Sequence, residues 1–192
     1  MINIRQYNSK DRERVRKICY DNSSDNALYR ENSDLLWTLY CDYYIDEEPE
    51  NCFVAVNDKD EAVGYVISSS DFSLYKKQYK PYMKKLLKLG FKHFIDKLFA
   101  NFRENVLSKE YPAHLHIDID NNYQRQGIGS KLLDKLHLSL KEKEIRGIHL
   151  ETGRDNEKAV NFYYKYGYKK IGDKGMVFGL KLQEWEAKVN NG

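Results

Sequence analysis

The sequence has no long apolar run and no cysteine framework. No stretch of its 192 residues approaches the roughly 18 consecutive apolar residues that a membrane span requires. The opening MINIRQYNSKDRERVRKICY has no apolar segment of the signal-peptide kind, so a cytoplasmic protein without a membrane partner is expected. Cys19, Cys41 and Cys52 are odd in number, form no C-x-x-C pair and have no histidine near them at ligand spacing. That argues against a disulfide scaffold or zinc knuckle and for reduced thiols. A dominant charge is missing too: 32 basic and 29 acidic residues leave a net +3, too little by itself to point to nucleic acid. Repeats and low-complexity tracts are absent. What is present is 41% hydrophobic residues in a chain of a size for one core, hence one domain over residues 1–192.

The hydropathy pattern alternates between strand and helix periods. INIRQY reads as a short strand, and SKDRERVRKICY as a helix capped through Asn8 and Asp11. Residues 33–45, SDLLWTLYCDYYI, predict a second helix behind a Ser/Asp start. Phe53 to Val56 and Ala62 to Ile67 flank the polar turn NDKDE as a hairpin. Later come AHLHIDI as a strand, SKLLDKLHLSLKEKE as a helix, GIHLE as a strand, NEKAVNFYYKYG as a helix ended by Gly167, and YKKIG and MVFGLKL as strands. The alternation predicts α/β packing around a mixed sheet flanked by helices, with His114–Ile119 and Ile148–Glu151 central and neighbouring.

Residues from about 72 to 112 differ in kind. Seven lysines and no acid lie between Lys76 and Lys92, and FKHFIDKLFANF then sets Phe91, Phe94, Ile95, Leu98, Phe99 and Phe102 on one helical face. This predicts a helical insertion between the third and fourth strands, an amphipathic hairpin packed on the domain with its lysines in water. A nucleic-acid or membrane surface is the competing reading of the lysine run; no nucleic-acid partner is expected.

The stretch YQRQGIGS, residues 123–130, puts Gly127 and Gly129 at the carboxyl end of a central strand, where a helix begins. A helix start leaves amides without partners and carries partial positive charge, so it can hold a phosphate if no side chain obstructs it. The glycines remove that obstruction, and Arg125 and Lys131 add charge; the competing reading is a plain turn. The order strand, Q-R-Q-G-I-G, amphipathic helix, strand, N-x-x-A-x-x-F-Y-x-x-x-G-Y resembles the GNAT superfamily of acetyl-CoA-dependent N-acetyltransferases, whose motif is Q/R-x-x-G-x-G/A. The likeness is close over residues 114–168. PAHLHIDIDNNYQRQGIG is also similar to the acetyltransferase-like domains related to those of O-GlcNAcases, some of them thought inactive.

The resemblance implies a GNAT fold, with a mostly antiparallel twisted sheet, and assigns roles. The strands His114–Ile119 and Ile148–Glu151 would splay, and the pantetheine of acetyl-CoA would bond the backbone of Ile117, Asp118 and Ile119 like an added strand. Arg125, Gln126, Gly127, Ile128, Gly129 and Ser130 would hold the pyrophosphate. Asn156 would bond the pantetheine while capping its helix. Tyr163 would be the general acid for the departing thiolate, with Tyr164 as control. A backbone N–H, that of Ile117 or a neighbour, would polarise the carbonyl. Glu151 ends the second strand at the spacing of the glutamate base in ribosomal-protein N-terminal acetyltransferases; a surface glutamate paired with Arg154 is the alternative.

His114, His116, Asp118 and Asp120 share one face of their strand, which offers His116 as a rival base and H-x-H-x-D as a metal site; buried histidines with no metal are the expectation. Eight acidic residues against one lysine between Asp42 and Glu61, behind Tyr29, Trp37, Tyr40, Tyr43 and Tyr44, suit a cationic amine, and the lysine-rich insertion an anionic acceptor. The acceptor is thus a small-molecule or protein amine of unknown identity. An inactive CoA-binding or sensing module is the alternative function, and a homodimer through edge strands is possible by analogy.

Overall fold

The computed structural model describes residues 1–23, 27–172 and 176–185. Its strands are β1 (Asn3–Gln6), β2 (Phe53–Val56), β3 (Ala62–Ser69), β4 (Ala113–Ile119), β5 (Gly147–Thr152), β6 (Lys169–Lys170) and β7 (Met176–Lys181). They form one open sheet in the order β1-β2-β3-β4-β5-β7-β6, in which the β4–β5 pair is parallel and the others antiparallel.

Alternation along the strands feeds two cores. Val54, Tyr65 and Ile67 face α1 (Arg12–Asn22), α3 (Ser33–Tyr40) and α4 (Asp42–Glu47), which follow the short α2 (Ala27–Glu31). Ala55, Val66 and Leu115 face α8 (Ile128–Glu142) and α9 (Glu157–Tyr166). Leu132, Leu133, Leu136 and Leu140 put the apolar stripe of α8 fully into this second core, each contributing about 1.5–3 kcal/mol by leaving water. The capping box expected at Asn8 and Asp11 is present, and Asp11 also takes two bonds from Arg5, at 2.7 and 2.8 Å. The helix predicted over 33–45 is broken at Cys41 (φ −134°, ψ −61°). The break lets Asp42 meet the Arg16 guanidinium at 2.9 and 3.0 Å while Tyr43 and Tyr44 enter the core.

The insertion between β3 and β4 is three helices, α5 (Phe72–Gln78), α6 (Lys80–Leu89) and α7 (Phe91–Leu107), and it corrects in part the expectation of an apolar face packed inward: Phe94 packs against the first core, but most of the stripe does not. No side chain of α7 is fully buried, and Phe91, Phe99 and Phe102 are 67%, 70% and 74% exposed. His93, Lys97, Ala100 and Glu104 turn inward instead. The physical reason lies beneath the helix: there the sheet presents His114, His116 and His149, a polar floor that suits the polar side of α7.

Candidate functional site

The parallel pair β4–β5 is in register only at Ala113↔Ile148 and His114↔His149; beyond these the strands part. Asp120 N–H bonds Val63 O at 2.9 Å on the β3 side, and antiparallel ladders alternate the direction of their backbone groups. The backbone of Asp118 therefore faces β3, opposite Tyr65, whereas N–H and C=O of Ile117 and Ile119 face the gap. Asn22 Nδ2 and Gln124 Nε2 donate to Ile119 O from that side, at 3.3 and 3.2 Å. Asp118 offers the site its carboxyl group rather than its main chain.

At the mouth of the gap, α8 begins with no acidic residue in its first turn and no side-chain cap. Gly127 is left-handed (φ +74°), and a Cβ there would meet no protein atom within 4 Å. The helix-start amides are thus open to a cleft of about 730 Å³ lined by Ile117, Asp118, Ile119, Arg125 and residues 127–130. Arg125 is itself left-handed (φ +61°), an unfavourable setting for a side chain with a Cβ. Gly129 serves packing as well, because a Cβ would lie 3.1 Å from Phe162 Cζ and 3.4 Å from Ile119 Cδ1; this glycine lets α8 close against α9 and β4. Gln126 is not among the lining residues, and its amide turns back to Asn122 O at 3.5 Å. Asn156 caps α9, accepting from Ala159 N–H at 3.1 Å, and lines the cleft at the same time.

Tyr163 lines this cleft beside Asp118, and burial raises its phenol's proton affinity, the Asp118 charge adding to the effect. Tyr164 is half exposed. Glu151 does not reach the cleft. It lines two adjoining cavities, one of about 1050 Å³ shared with Asp118, Asn156 and Tyr65, the other of about 680 Å³ beneath α7. Its carboxylate lies 3.5 Å from Arg103 in the insertion, not beside Arg154.

Among the described residues that line both the cleft and the 1050 Å³ cavity, Asp118 is the one with a displaced proton affinity. Burial lifts it to about 7, with the bond from Tyr65 pulling the other way. His116 has moved oppositely, to about 3, through burial and the nearby Lys97 charge; it is a neutral ring bonded to Tyr44 Oη at 3.2 Å. Among the described residues no group of three or more His, Cys, Asp or Glu is placed to hold a metal ion. Sequence reasoning put Asp118 on the right face of its strand but gave it a backbone role and a place in the H-x-H-x-D metal reading, not the part of a proton-binding group. Tyr65, whose hydroxyl donates to it, lies in a hairpin strand distant in sequence and carried no signal.

The profile of the Acetyltransferase (GNAT) family matches residues 16–168. An uncharacterized protein of Bacillus subtilis (strain 168), YxbD, is 40% identical over 53 residues, which is 28% of this chain and 33% of that relative; the match thus spans about a third of the curated relative. Among solved structures, SsHAT superposes with a TM-score of 0.82 at 25% identity, covering 94% of this chain and 98% of that one. The PaiA N-acetyltransferase of Thermoplasma acidophilum, solved in complex with coenzyme A, shares the fold at a TM-score of 0.57 and 16% identity, over 94% and 99% of the two chains.

Proposed function

The chain belongs to the Acetyltransferase (GNAT) family, and on that footing we propose that it transfers an acetyl group from acetyl-CoA directly to an amine. The observation that carries this reading is the parted β4–β5 pair whose gap, bordered by the Ile117 backbone, runs into the unobstructed amides of α8. Acetyl-CoA supplies an activated thioester. Gly127, Ile128, Gly129 and Ser130 offer N–H groups, and Arg125 a guanidinium, to its pyrophosphate. Ile117 and Ile119 offer the edge of β4 to its pantetheine, and Asn156 its side-chain amide.

Asp118 takes a proton from the incoming ammonium, which frees the lone pair to form the C–N bond. Ile117 N–H faces the carbonyl oxygen that gains charge. Tyr163 gives its phenol proton to the sulfur as the C–S bond breaks and takes back the second proton that the nitrogen sheds on becoming an amide. Glu151 draws the cationic amine into the cavity; it is the second candidate for the base, favoured by its place at the end of β5. A pH–rate comparison of Asp118→Asn with Glu151→Gln decides between them, since the base is the residue whose loss removes the acidic limb. A CoA-binding module without turnover is the reading that a null transfer assay over a range of amines would leave.

We also propose that a second copy covers the outer face of α7. Antiparallel two-fold pairing sets Phe91 against Val106 of the partner subunit and Leu98 against Phe99 of the partner subunit, so the apolar ridge is self-complementary.

A further inference from the structure

The amphipathic helix α7 is turned with its polar side inward. Lys97 and Glu104 line the cavity of about 680 Å³ that separates it from β4 and β5, while Leu98, Phe99 and Phe102 face solvent. A helix serving only to cover the sheet would bury the other face.

Hydrogen bonding in that cavity is incomplete. His114 is 5% exposed, and neither of its ring nitrogens has a partner. Nε2 of His149 and Oε2 of Glu104 are likewise buried without one, although His149 Nδ1 bonds Tyr111 O at 2.9 Å. The Lys97 ammonium lies over the rings of Tyr75 and Tyr79, at 5.2 and 5.1 Å. Buried polar groups in native proteins are otherwise almost all paired, so a cluster of exceptions asks for a ligand.

The chemistry of the cluster selects the ligand's character. Burial holds both histidines neutral, and a neutral imidazole offers one N–H and one bare nitrogen. Lys97 and Glu104 bring one charge of each sign from one face of α7. An anionic group would meet Glu104, a cationic group would meet Lys97, and an alkyl group would leave the imidazoles unpaired. A hydroxyl or amide, both donor and acceptor, meets all four. Tyr29, Tyr40, His116 and Glu151 line both this cavity and the one that reaches Asp118, so one molecule can span the two.

We infer that the acceptor is a small amine whose far end is uncharged and bears hydroxyl or amide groups, seated beneath α7 against His114, His149, Lys97 and Glu104 with its amine toward Asp118. This rests on the acetyl-transfer reading. The test uses the full chain, acetyl-CoA and four primary amines of matched length: a polyhydroxylated amine, a plain alkylamine, an ω-amino acid and an α,ω-diamine. The polyhydroxylated amine is expected to exceed each of the others by about tenfold or more in kcat/KM. In Lys97→Met and His114→Phe that advantage falls toward parity, with CoA binding by calorimetry retained as the check on folding. Equal or greater kcat/KM for any of the other three overturns the inference, as does full preference kept in both variants. If CoA binds and none of the four amines is acetylated, the inference fails while the coenzyme site stands. If CoA gives no heat, the acetyl-transfer reading fails first.

Discussion

Tyr65 donates its phenol hydrogen to Asp118 Oδ2 at 2.5 Å, across directly opposed positions of β3 and β4. The bond favours the carboxylate, burial favours the acid, and the balance leaves Asp118 near 7. A base must be unprotonated to act, so kcat/KM should rise with pH through about 7 in the wild type. Asp118→Asn should cost about 10²–10⁴-fold and abolish that limb. Tyr65→Phe removes the influence that lowers the Asp118 pKa, so the limb should move to higher pH. Unchanged pH–rate profiles in both variants would remove Asp118 from the mechanism.

The same carboxyl group gives a stability prediction of defined sign. Its folded pKa lies above the ordinary unfolded value of about 3.9, so its contribution is fully present below about pH 4 and is lost as pH rises through about 7. Asp118→Asn should therefore raise the melting temperature relative to wild type more at mildly alkaline pH than at pH near 4. Thermal melts at the two pH values check this; the same increment at both contradicts it.

Tyr163 and Tyr164 are neighbours with different surroundings, one buried against the cleft and one half exposed. Tyr163→Phe should slow turnover by about 10²-fold, the lower end of the range for general acids, while leaving the CoA dissociation constant unchanged. Tyr164→Phe should leave both alone. Equal rates for the two variants would show that Tyr163 only packs its ring.

The two motif glycines should fail in different ways. Gly127→Ala strains a left-handed residue by about 1–2 kcal/mol and puts a methyl group into the open cleft, so its main effect is weaker CoA binding by calorimetry. Gly129→Ala meets the Phe162 ring at 3.1 Å and should destabilise the fold by about 1–3 kcal/mol. Phe162→Leu should recover part of that loss in a double-mutant cycle. Strict additivity would contradict the contact.

The outer face of α7 predicts self-association. Wild-type protein should sediment as a dimer, and Phe99→Lys with Phe102→Glu should sediment as a monomer that still binds CoA. A monomeric wild type would refute the pairing.

Patterns that repeat along the chain made most of the fold legible. The strand period of AHLHIDI, the leucines of α8 and the glycine ending α9 each report a local preference joined to one buried face, and each element stands where its period placed it. Cys41 broke a predicted helix because the Asp42–Arg16 pair, distant in sequence, rewards a kink that helical spacing does not show. The orientation of α7 was hidden for a related reason. An apolar stripe says which residues share a face, but only the histidine floor on β4 and β5 decides which face turns inward. At the site, the open position of Gly127 matches what the glycine turn led one to expect, and the backbone of Ile117 and Ile119 faces the gap. Asp118 as a proton-binding group needs a partner from β3, and strand pairing between distant segments carries no local signature.

The most direct measurement is titration calorimetry of CoA into the full chain and into Gly127→Val, paired with steady-state CoA release from acetyl-CoA in the presence of amines. The predicted result is one CoA bound per wild-type chain, markedly weaker binding in Gly127→Val, and amine-dependent release. A wild-type chain that takes up no CoA, or a Gly127→Val chain that binds it as tightly as the wild type, would contradict a coenzyme site at the start of α8.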